Sequence, residues 1–241
     1  MKVTIINPEQ AVKLFHYWGE FASVCYDTRN VKPEKIGKHC LKSGHFSGSR
    51  SQYIILRIEG CPRDTVDQLV RHEQGCCKNV RSFRYVDETN FHCALPTEVQ
   101  GDPELVRRWA EHMDDTKALY ADIQQYVYEK TGSKERANEQ ARKCLPIHTD
   151  TALCIGLDIE ALIHLCHTRL CVRTEEEHRK LVLMIRAAVL ELLPELDGYL
   201  VPQCEYLLWC PEGKSCGAHP SREYVAKLIA EDRKRRMNDE H

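Results

Sequence analysis

The sequence predicts an α+β domain rich in helix: a central antiparallel or mixed sheet with long helices and a cysteine-bearing tail. Three observations lead there. Gln52–Glu59 (QYIILRIE) places Ile54, Leu56 and Ile58 on one face at strand period. Glu104–Lys130 keeps an amphipathic helical pattern over a long stretch, and Leu181, Val182, Ile185, Val189 and Leu192 repeat it later. Helix-boundary residues punctuate the chain wherever these patterns change.

Taken in order, MKVTII opens as a strand. Residues 9–24 space their apolar side chains as a helix, and Pro33–Lys42 reads as a shorter one closed by Gly44. Gln52–Glu59 is the strand, and Pro62 sits where the next helix starts. Tyr85–His92 is predicted as a further strand. Asp102 and Pro103 read as N-cap and first helical residue, and Gly132 stops the long helix they open. Ser133 begins another, which Pro146 ends. Asp158 caps a helix that runs through Arg169 to about Cys171. Thr174 and Glu177 form a capping-box pattern ahead of the last long helix, stopped by Pro194. There is no internal repeat or low-complexity linker. Residues 1–200 read as the main domain and 201–241 as the tail.

Composition narrows the function classes. With 34 Lys and Arg against 36 Asp and Glu, the formal charge is -2, which argues against nucleic-acid binding through bulk electrostatics. No apolar run is long enough to span a bilayer and no signal-peptide pattern opens the chain. Thirteen scattered cysteines without such a signal fit a cytoplasmic protein with reduced thiols, most of them small buried hydrophobes.

The densest chemistry lies between Ile58 and Tyr85. Gln68, Arg71 and His72 are spaced i, i+3, i+4, which on a helix is one face. Ser82 and Arg84 follow. The functional reading is a site for an anionic, planar ligand; the plain one is a solvated helix end. Arg142 alone would pass as a last-turn cation on the helix dipole, and Arg169 as an arginine snorkelling at a helix end.

The order of motifs resembles the flavin-dependent thymidylate synthase family through most of the chain. SVCY (Ser23–Tyr26) and LKSGH (Leu41–His45) are similar to its N-terminal segments. RHEQGCCKNVRSFRY resembles its signature of R-H-R, a spacer and S-x-R, with Arg71, His72, Ser82 and Arg84 in place. ARKCLP (Ala141–Pro146) resembles its A-R-x-x-L-P, and RLCVRTEEEHR (Arg169–Arg179) the segment that follows, at matching spacing. CPEGKSCG (Cys210–Gly217) resembles a tail found in some members.

The resemblance implies the family's fold, a homotetramer, and transfer of a one-carbon unit from methylenetetrahydrofolate to C5 of dUMP. Reduced FAD supplies the hydride and NADPH recharges it. It also implies roles. Arg84 and Arg142 would take the phosphate, which the arginine fork matches bidentately. Arg169 would stabilise charge developing on the uracil. Gln68 can donate to and accept from the nucleotide, and the Ser82 hydroxyl would position the pyrimidine. His45 would lie near flavin and substrate. Ser47, Arg71, His72, Glu73, Gln74, Asp158 and His164 fall on flavin-side positions.

Departures from the pattern cluster on that flavin side. Glu73 and Glu160 stand where the family has arginine, Asp158 and His164 where it has asparagine. Ser51 replaces a frequent histidine, and the signature spacer is one residue longer. Two alternatives therefore stay open: a divergent member modifying another pyrimidine nucleotide, or a nucleotide-binding homologue with weak or lost FAD binding. Separately, Cys204, Cys210, Cys216 and His219 form C-x5-C-x5-C-x2-H. That set is a candidate zinc site, with looser spacing than a zinc knuckle and with unliganded thiols as the alternative. Cys76 and Cys77 read as loop thiols.

Overall fold

Ile54, Leu56 and Ile58 are fully buried, so the alternation read from the sequence is the inner face of a real strand in this computed structural model. The structure describes residues 1–25, Asp27 and residues 30–239. Tyr26, the last residue of the SVCY segment, lies outside them.

In chain order the elements are β1 (Lys2–Ile5), α1 (Pro8–Ala11), α2 (Leu14–Val24), α3 (Pro33–Lys42), β2 (Ile54–Pro62), α4 (Arg63–Leu69), β3 (Cys76–Val80), α5 (Pro103–Thr131), α6 (Lys134–Ala141), β4 (Asp150–Leu157), α7 (Ile159–Arg169), α8 (Glu176–Leu192), α9 (Gln203–Leu207) and α10 (Arg222–Asp239). Short 3-10 turns lie at Phe46–Ser51, Thr97–Val99, Arg142–Cys144 and Pro194–Leu196. The chain divides into two units. The first comprises Met1–Thr4, Arg57–Arg71 and Cys77–Ile155; the second comprises Ile5–Leu56, His72–Cys76 and Gly156–His241.

The strands form one antiparallel sheet in the order β1-β2-β4-β3. Within the first unit, Arg63 N–H donates to Thr149 O and Arg81 N–H to Ala152 O, which sets the register of β4 against its neighbours. β4 buries Leu153, Ile155 and Leu157 at alternate positions. α5 is capped by Asp102, whose carboxylate accepts from the Glu104 and Leu105 amides, and ends on Gly132 at φ 65°. α6 packs beside it under a Ser133 cap. Tyr120 of α5 is fully buried and its hydroxyl accepts from Glu88 N–H at 3.2 Å.

The second unit is built on α2 against α3. Their backbones meet at two glycines. A Cβ on Gly19 would stand 1.8 Å from Pro33 O, and one on Gly37 2.1 Å from Phe15 O. α7 and α8 form the other packed pair, with Leu162, Leu165, Leu181, Ile185 and Val189 fully buried.

Several expectations are corrected. The pattern at 9–24 is two helices, α1 and α2. Tyr85–His92 is not a strand. Asp87 closes a local turn by accepting from the Thr89 amide and hydroxyl, and Phe91 N–H returns to Glu88 O; such side-chain bonds outcompete a ladder. The neighbouring strand is β3, so Cys76 and Cys77 are strand residues. α4 stops at Leu69, which takes Arg71 and His72 off the helix and dissolves the shared face with Gln68. α8 is capped at Glu175, with no capping box; the Thr174 hydroxyl donates instead to Thr168 O.

Gly19→Ala is expected to destabilise the protein by about 2–4 kcal/mol, because backbone faces its new methyl and no flexible side chain can yield. Urea unfolding at neutral pH checks this. Gly101→Ala, where an added Cβ meets nothing within 4 Å, is the matched control.

Candidate functional site

The second unit gathers its chemistry around α7. Asp158 caps the helix, its Oδ1 accepting from Ala161 N–H at 2.8 Å. Its own amide donates to Gly75 O at 2.9 Å. Gly75 has φ 65°, and an added Cβ there would lie 2.3 Å from Asp158 Oδ2. Only glycine fits both the backbone conformation and that approach. The carboxylate is 1 % exposed, and burial pushes its pKa up against the pull of the Ala161 cap bond. The stretch His72–Cys76 is thereby fastened to the start of α7.

At the other end of the helix, Arg169 reaches back to the same stretch. Side chains on a helix lean toward its N-terminus, and the Arg169 Nε donates to His72 Nε2 at 3.2 Å. The His72 ring stands edge-on to His164, with centroids 5.9 Å apart. Behind them, on α8, His178 is fully buried. Burial and then the charge of Arg169 push its pKa down to about 4. Among the described residues no carboxylate lies within ion-pairing distance of Arg169.

Glu160, one of the charge reversals, is itself paired. Arg50 donates to its Oε2 from Nε at 3.0 Å and Nη2 at 2.7 Å. Both side chains are half-exposed, so the pair adds little to stability, but it offsets the reversed charge. Glu73 and Gln74 are exposed, as are His45 and Ser47 at the 3-10 turn Phe46–Ser51. The aromatic ring of Phe46 sits 5.9 Å from that of Trp18, which anchors the turn.

The first unit carries the other predicted residues. The Ser82 hydroxyl accepts from Arg84 N–H at 3.3 Å. Arg84 lies between Glu135 at 3.7 Å and Glu139 at 3.5 Å on α6. Arg142 follows directly on that helix, opens the turn Arg142–Cys144 and is exposed. Arg84 thus lies along α6, while Arg142 stands at its C-terminal end, where a cation is favoured by the helix dipole. Gln68 is half-buried on α4 and Arg71 is exposed.

The zinc candidate is corrected. Among the described residues, no three His, Cys, Asp or Glu side chains are gathered as metal ligands. Cys204, Cys210 and Cys216 line one cavity of roughly 100 Å3 with Cys171 and His167, and His219 is not part of it. Burial and the neighbouring Cys210 and Cys171 thiols push the Cys204 pKa up.

Sequence reasoning missed His178, although a signal was present. It opens the stripe that continues at Leu181, Val182 and Ile185, and a histidine at the first position of an apolar stripe is a buried histidine. It also missed Arg50, whose meaning depends on Glu160 more than a hundred residues away.

Comparison with known proteins agrees with this chemistry. The family described as thymidylate synthase complementing protein matches residues 14–195. The chain is 32% identical over 185 residues to a flavin-dependent thymidylate synthase of Nitratidesulfovibrio vulgaris, covering 76% of this chain and 75% of that one. It is 28% identical over 235 residues to a flavin-dependent thymidylate synthase of Pyrococcus furiosus, covering 88% and 90%. The crystal structure of the Helicobacter pylori flavin-dependent thymidylate synthase, complexed with FAD and dUMP, superposes with a TM-score of 0.54 at 16% identity. It covers 78% of this chain and 93% of that one, a likeness of fold. A helical α+β chain with this arrangement of arginines and imidazoles therefore has its class. The chain belongs to the thymidylate synthase complementing protein family.

His178 gives the site a pH signature. Its ordinary pKa of 6.5 falls to about 4 in the folded protein. Above 6.5 both folded and unfolded chains hold it neutral. Below that, the unfolded chain takes up a proton the folded one refuses, so stability is lost as pH falls from 6.5 toward 4. The loss approaches about 3 kcal/mol. His178→Met is expected to lose correspondingly less stability over the same window in urea unfolding at paired pH values.

Proposed function

We propose that this protein is a flavin-dependent thymidylate synthase, transferring a one-carbon unit from methylenetetrahydrofolate to C5 of dUMP. The observation that carries the reading is Arg169, fixed by an imidazole acceptor and paired with no carboxylate among the described residues. Its guanidinium keeps its charge for an electron-rich ring. Arg84 and Arg142 take the phosphate, where the forked guanidinium matches its oxygens. Arg84 exchanges its long contacts with Glu135 and Glu139 for that anion. Ser82 positions the pyrimidine through its hydroxyl, and Gln68 holds the nucleotide.

The flavin side is assigned to His45, Ser47, Arg71, His72, Glu73, Gln74, Asp158 and His164. The donor set fits an anionic planar group: imidazoles beside Arg169, with the reversed charge at Glu160 offset by Arg50. When bound, FAD reduced by NADPH supplies the hydride, while the protein orients the partners and excludes water. Asp158 acts from behind: buried and bonded to the helix and to Gly75, it shapes the His72–Cys76 stretch.

Residues 1–200 form the catalytic domain and 201–241 an appended tail. The protein works as a cytoplasmic homotetramer. No helix among the described residues is long and apolar enough to cross a membrane, and exposed apolar side chains along α5, among them Leu105, Leu119 and Tyr126, suit an assembly.

Purified protein supplied with FAD is expected to show a flavin absorbance band that NADPH bleaches. Protein that stays colourless overturns the reading. Arg169→Ala is expected to lower dUMP turnover by about 10²–10³-fold, the range for removing one preorganised donor, with an unchanged unfolding midpoint. Steady-state kinetics beside urea unfolding separates the two.

A further inference from the structure

Arg169 is held by an acceptor that carries no charge. A guanidinium has only donors, so the Nε bond at 3.2 Å requires a lone pair on His72 Nε2. That nitrogen is therefore bare and any ring proton is on Nδ1, which makes the imidazole neutral. Protonation at Nε2 would delete the acceptor and set two cations against each other.

The surroundings favour the same state. From α7, His164 meets the His72 ring at its edge, and Arg169 adds a fixed positive charge. From α8, His178 is fully buried and faces Arg169 and His72 as a neutral ring. The only carboxylate next to His72 in the chain is Glu73, which is exposed. The fixed charge of Arg169, bonded to the ring at 3.2 Å, makes a second cation at His72 costly. A carboxylate in the place of His72 would hold Arg169 more tightly but would cancel its charge. An imidazole holds it and leaves the charge intact.

We propose that His72 is a positioning residue: its neutral, Nδ1-protonated ring fixes the Arg169 guanidinium in place while leaving that cation's charge undivided for the nucleotide ring. The charge-preserving role rests on the reading of Arg169 given under Proposed function; the protonation state of His72 does not.

The two are tested separately. In the FAD-free protein with ring-labelled histidine, the His72 nitrogens are assigned by comparison with His72→Gln and followed by nitrogen NMR. A bare Nε2 with protonated Nδ1 at neutral pH is expected. An imidazolium, or the opposite tautomer, overturns the proposal whatever the enzyme does. In turnover assays, glutamine offers a neutral acceptor at similar reach that no proton can remove. His72→Gln is expected to keep a higher kcat than His72→Glu or His72→Phe and to lose the acid limb of the pH profile. His72→Glu keeps an acceptor but divides the charge, and is expected to lower kcat by at least about tenfold with little change in KM. His72→Phe is expected to lose activity at every pH. Equal kcat and the same pH profile in the Gln, Glu and Phe variants would overturn the proposal, because a merely structural ring would not sort them. Should wild type itself fail to turn over dUMP, the functional reading falls and the NMR arm still decides this one.

Discussion

The capping of α7 by Asp158 is the constraint on which the site depends. A helix start leaves several amides without partners, and here one carboxylate satisfies the helix with its side chain while its backbone amide holds Gly75. The stretch His72–Gly75, ahead of β3, has no regular structure of its own. Its place is set by what it is bonded to, and two of its bonds go to the two ends of one helix: Asp158 at the start and Arg169 at the finish. α7 has 11 residues, about 16 Å of rigid rod. Fixing both ends of a short irregular stretch to such a rod gives His72 a defined position at little entropic cost, because few residues remain to be ordered.

Charge is handled differently at the two groups of arginines. Arg84 is exposed and lies at 3.5–3.7 Å from two glutamates, contacts long enough for an arriving anion to replace. Arg169 sits among imidazoles with one buried histidine behind it. The first arrangement keeps a surface cation solvated and ordered. The second lowers the local dielectric around a cation without neutralising it, where an electrostatic interaction is worth most. The Arg50–Glu160 pair belongs to the first kind: a reversed charge on α7 accompanied by a compensating one on the turn Phe46–Ser51.

Much of this was legible in the sequence, and the remainder divides by cause. β2 and the helices α3, α5, α6 and α7 follow from periodicity, prolines, glycines and caps, all local signals. Asp158 as a cap was readable for the same reason. β3 was not, because Cys-Cys-Lys-Asn-Val has neither strict alternation nor a run of β-branched residues; the ladder with β4 makes it a strand. β4 itself carries a polar Asp-Thr start that hides it. The face once drawn through Gln68, Arg71 and His72 failed because α4 ends at Leu69, and boundaries are where local propensity is weakest. The tail cysteines left zinc and unliganded thiols both open through spacing alone; Cys204, Cys210 and Cys216 share a cavity, and among the described residues no metal-ligand set is gathered. The hydrogen bond from Arg169 to His72 joins residues 97 apart, and no local pattern announces such a bond.

β3 lies at the edge of the sheet, so one side of its backbone is a row of hydrogen-bonding groups that a foreign strand could copy. It is five residues long, and its middle residue is a lysine whose ammonium is engaged with Val70 O. A short strand with a charged centre is a poor template for edge-to-edge growth. The lysine at the centre of this edge strand is thus also a guard against fibril-like association, and the chain could not exchange Lys78 for an apolar residue without exposing a sticky margin.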